Sequence, residues 1–350
     1  VWYLKKNYNI KPLLVSFNHC FNTSSGNENL KNLIKVSGFD HVRFTAGLES
    51  VKKISLYMLK TVGDITWHYH AGIRTYPMKL AVEKKIPLVI WGEHGFSQLT
   101  GLVSINEFVE YTKWSRLEHD MRGIEAEDLI GKNGITINDI YPYRYPKQNE
   151  VMSIDLRGIY LGNFVEWDYK KNTKLIFKNT KFNSIRYKRD RTFNLFSKIE
   201  DHANDVHDYL KYLKFGYGRA TDDTSQEIRF GRLTRKEGVE LVNEYDHVEP
   251  SSLDYYCEIL KIKKKKFYEI VDEQRDSKIW KKYNGKWKKI TNISIYSKKN
   301  KSKIDKARIE LSKDHIFKKA NRNLWYNPKF PPIKTGNISY DYPTLKFDIF

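Results

Sequence analysis

The chain has 350 residues, 40 % hydrophobic and 14 % aromatic, and its 62 Lys and Arg against 42 Asp and Glu give a formal charge of +20. That is too apolar for a disordered polycation, and long enough for one large domain or two modest ones. Its longest apolar runs, such as Pro87 to Trp91, fall far short of the roughly 20 residues that cross a bilayer, and no charged-then-apolar leader opens the sequence, so a soluble protein without a targeting segment is expected.

Cys20 and Cys257 are too few and too distant for a disulfide framework or a closed zinc site, which makes a reducing, cytoplasmic setting the default. The basic excess is mostly C-terminal, since residues 251–350 hold 25 Lys and Arg against 11 Asp and Glu. Runs such as Lys263-Lys264-Lys265-Lys266 and Lys298-Lys299-Asn300-Lys301 are lysine with few aromatics. They lack the bidentate and stacking geometry of specific RNA readers. They read as a solvated Lys/Asn-rich surface, or as a contact for an anionic partner or membrane face.

In chain order, Pro12 to Asn18 reads as a strand, and Leu30, Leu33 and Ile34 mark a helix after it. His41 to Ala46 is the next strand. Val51, Ile54 and Met58 mark a second helix, and Met78, Ala81 and Val82 a third that starts at Pro77. Ile86 to Gly92 closes the pattern as a strand. Alternation of this kind predicts parallel strands covered by helices on both faces, with ligands beyond the carboxyl ends of the strands, here Asn18-His19 and Trp91-Gly92-Glu93-His94.

Residues 104–250 read as mainly helical with long loops. Ser197-Lys198-Ile199-Glu200 and Thr234-Arg235-Lys236-Glu237 both match a capping box. After the first, Ile199, Ala203, Val206, Leu210 and Leu213 form an apolar stripe. Trp280 and Trp287 look like the end of the compact part. Three segments are expected: an α/β domain at 1–103, a mainly helical part at 104–290, and a Lys/Asn-rich, weakly packed extension with Pro331-Pro332 at 291–350.

Several clusters carry candidate chemistry. Trp91-Gly92-Glu93-His94-Gly95 sets two titratable groups between glycines, fit either for a phosphate, metal or proton, or for an ordinary turn. The run from Gly216 to Asp223 carries Arg219, Asp222 and Asp223, a set that suits either a phosphate-and-magnesium clamp or a solvated loop with internal ion pairs. His202 and His207 on one helix lie roughly 140° apart and cannot share an ion, so both read as polar side chains on the solvent side of a helix. His68 and His70 would share a face if extended, and a structural pair is the favoured account. Arg116, Glu118, His119, Asp120 and Arg122 form either a polar helix face or a cleft lining.

The segments PLLVSFNHCFNTSSGNENL (12–30), GDITWHYHAGIRTYP (63–77), IPLVIWGEH (86–94), YLGNFVEWD (160–168) and GYGRATDDTSQEIRFGRLTRKEG (216–238) together resemble the N-acetyl sugar amidotransferases of bacterial surface-polysaccharide biosynthesis, within the PP-loop ATP pyrophosphatase superfamily. The resemblance runs to about Lys288. It implies an adenine-nucleotide α-hydrolase-like, Rossmann-like parallel sheet with a mainly helical C-terminal part. It also implies ATP and Mg²⁺, and a reaction in which an acetamido oxygen attacks the α-phosphate and expels pyrophosphate, ammonia displaces AMP from the adenylated intermediate, and an acetamidino sugar results.

A glutaminase partner supplying ammonia is implied too, with an N-acetyl sugar or sugar nucleotide as substrate and no nucleic acid. By resemblance Glu93 and His94 sit at the nucleotide-facing strand end, and Phe17, Asn18, His19, Gly92 and Gly95 bind the nucleotide. Arg219, Asp222 and Asp223 serve the phosphate and metal side. The family's Ser-Gly-Gly-x-Asp-Ser loop and its strand are not in this sequence, and Val1 to Lys6 look like the helix that follows them. A truncated reading frame or a fragment of a longer protein is therefore expected, or else an upstream partner that carries the loop, with an exposed sheet edge and a chain inactive by itself. The alternatives are a tRNA-modifying PP-loop ATPase and a non-catalytic remnant.

Overall fold

The computed structural model describes residues 1–94, 111, 116–162 and 164–290, apart from the side chains of His94 and Glu118. Gly95 and the expected extension at 291–350 lie outside the described residues. The chain is mixed α/β and about half helical. After α1 (Trp2–Tyr8), β1 (Leu14–Asn18) pairs in parallel with β2 (His41–Thr45) through α2 (Ser24–Ser37). Two further helices, α3 (Leu48–Val62) and α4 (Trp67–Lys84), lead to β3 (Leu88–His94), which pairs in parallel with β4 (Arg157–Gly162). Short helical turns and α5 (Gln148–Ser153) precede β4. The rest is α6 (Tyr169–Asn179), α7 (Ala203–Phe215), α8 (Arg219–Arg229), α9 (Arg235–Tyr245), α10 (Leu253–Ile259), α11 (Lys264–Asp272) and an antiparallel hairpin of β5 (Trp280–Tyr283) and β6 (Lys286–Lys289).

The expected Rossmann-like sheet is not formed among the described residues; two separate parallel pairs stand in its place. Leu14 N donates to Asp40 O, so alternation turns the polar groups of Val15 and Phe17 to the other edge of β1, where no described strand lies. On β3 the same holds for Leu88 and Ile90, because Arg157 N donates to Pro87 O. The two pairs are joined by α4. Phe17 lies so close to Gly72 that a Cβ there would come within 2.5 Å of the ring, and Trp91 Nε1 donates to Ile73 O at 2.9 Å.

That second contact explains why Pro77 does not start a helix, as its ring suggests, but lies inside α4. A proline at 77 cannot donate to the carbonyl four residues back, which is Ile73. The Trp91 indole supplies the missing donor. Because residues 67–84 are one helix, His68 and His70 stand on different sides of it rather than on one extended face.

Thr234 and Glu237 form the expected capping box, but Ser197 and Glu200 do not. There the helix begins five residues later than expected, at Ala203, whose N–H is taken by the Asp201 carboxylate at 2.7 Å. Ala203, Val206, Leu210 and Leu213 bury their stripe against a core that also holds Val51, Ile54, Met58, Trp67, Leu253 and Phe267. The main core is thus built from both sides of residue 103. A smaller cluster of Met78, Ala81, Trp91, Tyr111 and Tyr160 packs around β3 and β4. The strand β4 lies in the stretch read as helical, and its near-continuous burial conceals the alternation that marks a half-exposed strand.

Candidate active site

At the carboxyl ends of β1 and β2 the polar side chains interlock. Asn18 donates to Thr45 Oγ1, while its Oδ1 accepts from Cys20 N, Asn22 Nδ2 and Arg43 Nη2 at 3.1, 2.6 and 2.8 Å. His19 lays its ring over Tyr69, with centroids 4.1 Å apart, and places Nδ1 3.6 Å from Asp201. Burial pushes the Asp201 carboxyl up to about 7, against hydrogen bonds from Ala203 N and Phe21 N. Phe17 commits its ring to the core, stacked 5.5 Å from Phe44. Gly92, at the end of β3, leaves open space where a side chain would stand.

The first turn of α4 carries the most concentrated chemistry. Asp64, an acceptor ahead of the helix, takes Ile65 N at 2.6 Å and Thr66 N at 3.1 Å. It also pairs with Arg122 and accepts from His207 Nδ1 at 2.9 Å. Burial alone would raise this carboxyl, but Arg122 and then His207 hold it well below the carboxylate range. His70 Nδ1 faces the Thr66 hydroxyl at 3.0 Å and Arg122 Nη2 at 3.4 Å. A guanidinium can only donate, so this network assigns the His70 proton to Nε2. His207 gives its Nδ1 proton to Asp64 and keeps a lone pair on Nε2. Burial lowers both imidazole pKa values, and the rings lie 5.6 Å apart. A hydrogen-bond donor and a base therefore stand side by side.

Residues 198–223 close the other side. Arg219 forms a two-point ion pair with Asp208, donating from Nε and Nη2 at 2.8 Å each. Lys211 holds Asp222 at 2.5 Å, and the Thr192 hydroxyl donates to Asp223 at 2.5 Å. Burial pushes Asp223 up to about 6. Lys198 is less committed, with its ammonium 3.9 Å from Asp208. Burial and then Arg219 lower its pKa. No group of three His, Cys, Asp or Glu among the described residues could hold a metal. Asp222 and Asp223, each tied to a neighbour, do not form the expected magnesium clamp.

Glu93 meets Arg74 through two bonds of 3.1 and 2.7 Å, and Arg74 also donates to Asp120 at 3.0 Å. Arg74 lies one turn beyond His70 on α4, and Glu93 is near enough to help raise the Tyr69 phenol after burial and Glu200. α4 thus touches His19 through Tyr69 and Glu93 through Arg74, Asn18 stays within the β1–β2 strand ends, and Arg219 lies beside Lys198 through their shared partner Asp208. His94 keeps its strand position opposite Gly162.

The sequence reading missed Asp64, Lys198 and His207. His202 is exposed, but His207 does not simply face solvent: it is drawn inward by Asp64 and Thr66. The available signal for Asp64 was its place in Asp64-Ile65-Thr66 directly before a helix, where a carboxylate accepts free backbone amides. His68, by contrast, is buried, its pKa falls to about 3, and its Nδ1 has no partner among the described residues.

Residues 180–294 match the family described as LPS biosynthesis protein WbpG-like, C-terminal domain. Lys198, His207, Asp208 and Arg219 all fall within the matched segment, which is similar to proteins of lipopolysaccharide biosynthesis. No curated protein matches the chain. No described helix is long and apolar enough to cross a membrane.

Proposed function

We propose that this chain serves lipopolysaccharide biosynthesis as the catalytic part of an ATP-dependent N-acetyl sugar amidotransferase, turning an acetamido group into an acetamidino group. One observation supports the reading: His207, from the matched segment at 180–294, meets Asp64 and Thr66 ahead of α4, 5.6 Å from the His70 ring, and the neighbouring Tyr69 packs on His19 at the end of β1. A sugar-polymer family segment and a strand-end nucleotide site would then share one centre.

In this reading ATP is a substrate, and Asn18, His19 and Gly92 lie where its nucleoside would rest. Lys198 is the cation best placed for its phosphates, because Arg219 and Arg122 are already held by Asp208 and Asp64. His207 Nε2 takes a proton from the incoming ammonia, and His70 Nε2–H donates to the oxygen that leaves. Asp64 fixes the His207 tautomer and stabilises its charged form. Ammonia would come from a glutaminase partner. No step is assigned to Mg²⁺, which the described carboxylates do not cradle.

The test supplies ATP, ammonium and a nucleotide-linked N-acetyl sugar, and follows AMP by chromatography and the exchange of O for NH by mass spectrometry. AMP formation that depends on the sugar is expected. Lys198→Met is expected to raise the KM for ATP, and His207→Gln to lower turnover by about 10²–10⁴-fold with little change in that KM. AMP release without any sugar product would overturn the reading.

A further inference from the structure

The run Lys263 to Lys266 is the most conspicuous charge in the described sequence, but the fold partly neutralises it. Lys264 pairs with Glu249 and with Asp254 at 3.2 Å, and Lys266 pairs with Glu269 at 3.2 Å. The β5–β6 hairpin is different. Residues 277–290 contain six lysines and no Asp or Glu, and no described carboxylate pairs with any of them.

One face of the hairpin anchors it. Trp280 is buried edge-on to Tyr212, Lys289 Nζ donates to Gly216 O at 2.9 Å, and Arg275 covers Trp287. The register Lys281↔Lys288 and Tyr283↔Lys286 puts Lys281, Tyr283, Lys286 and Lys288 on the other face, all exposed, and Ile290 just beyond the strand is exposed too. Lys281 and Lys288 stand directly opposite each other, an arrangement of like charges that destabilises a strand pair until counter-charge arrives. Tyr283 is 49 % exposed and Ile290 39 % exposed.

We propose that this outward face docks on an anionic membrane surface. Lipid headgroups supply counter-charge at no fixed spacing, lysine stems bury their methylenes while the ammonium stays wet, and the exposed Tyr283 phenol suits the boundary between water and hydrocarbon. A nucleic acid fits less well, since the face has no arginine and only one ring on which a base could stack. The inference is independent of the proposed reaction.

The test measures sedimentation of the full chain with phosphatidylcholine vesicles, with and without one quarter phosphatidylglycerol. Binding only to the anionic vesicles, weakening with salt, is expected. The triple variant K281E/K286E/K288E should lose roughly 100-fold in partition, at about fivefold or more per lysine. K11E/K31E/K35E, which removes equal charge from exposed sites outside the hairpin, should lose only a few-fold. Equal losses in the two triples, or no loss in the first, overturn the proposal. So does a single-stranded RNA whose binding is abolished by the hairpin triple while vesicle binding persists. Circular dichroism monitors folding, and the milder K281Q/K288Q keeps the comparison available if the triple unfolds.

Discussion

A buried carboxylate that accepts from a guanidinium, an imidazole and two backbone amides cannot be neutralised without leaving donors stranded. Asp64→Asn turns an NH₂ group toward Arg122 or His207, and a loss of about 3–5 kcal/mol is expected by urea denaturation, as for a broken buried pair. Because the folded pKa of Asp64 is depressed, its stabilisation holds above the unfolded value near 3.9 and fades as the pH falls below it. Asp201 works the other way. Its folded pKa of about 7 lies above the unfolded value, so the native state holds a proton that the unfolded chain releases. Stability from Asp201 is therefore complete at low pH and lost as the pH rises toward 7, by up to about 1.4 kcal/mol per unit. Denaturation midpoints between pH 5 and 8 should fall more steeply in the wild type than in Asp201→Asn; parallel slopes would contradict the assignment.

At the scale of the element, α4 shows how contacts overrule propensity. In an exposed helix Gly→Ala is stabilising by about 1 kcal/mol. At Gly72 the added methyl would meet the Phe17 ring at 2.5 Å, so Gly72→Ala should destabilise by about 1–3 kcal/mol. Trp91→Phe removes the donor for the Ile73 carbonyl and should cost about 1–3 kcal/mol. Pro77→Ala restores a backbone N–H for that carbonyl and should recover part of the loss in the Trp91→Phe background. Additive effects in that double-mutant cycle would show that the two donors do not share an acceptor. The sequence marked Pro77 as a helix start because the proline rule is local, whereas its compensation lies in β3. The hairpin at 280–289 did carry a local signal, the Asn284-Gly285 turn with φ of 48° and 76°.

For the whole molecule, the decisive fact is that α3, α7, α10 and α11 bury one another across the length of the chain. A fragment of residues 180–290 would expose Val206, Leu210, Leu213 and Phe267 and should remain molten alone, with poorly dispersed amide resonances. Adding residues 1–179 in trans should sharpen them. A well-dispersed spectrum of the isolated fragment would show that it carries its own core.

The first hundred residues disclosed β1, β2, β3, α2, α3 and the second half of α4, because period and turn chemistry are short-range and most of an element satisfies its own backbone. The same locality exposed the capping box at Thr234 and the apolar stripe of α7, and the motif at 216–238 lies in the segment that matches a lipopolysaccharide-biosynthesis family. It could not disclose that the strands stand as two pairs bridged by α4, since pairing depends on which edges meet. Nor could it show that His207 turns inward: a histidine on a polar helix acquires its role only when Asp64, 143 positions away, is brought within 2.9 Å. Hydrophobic patterning is written residue by residue, whereas the charge state and proton position of a buried group are set by neighbours that only folding assembles.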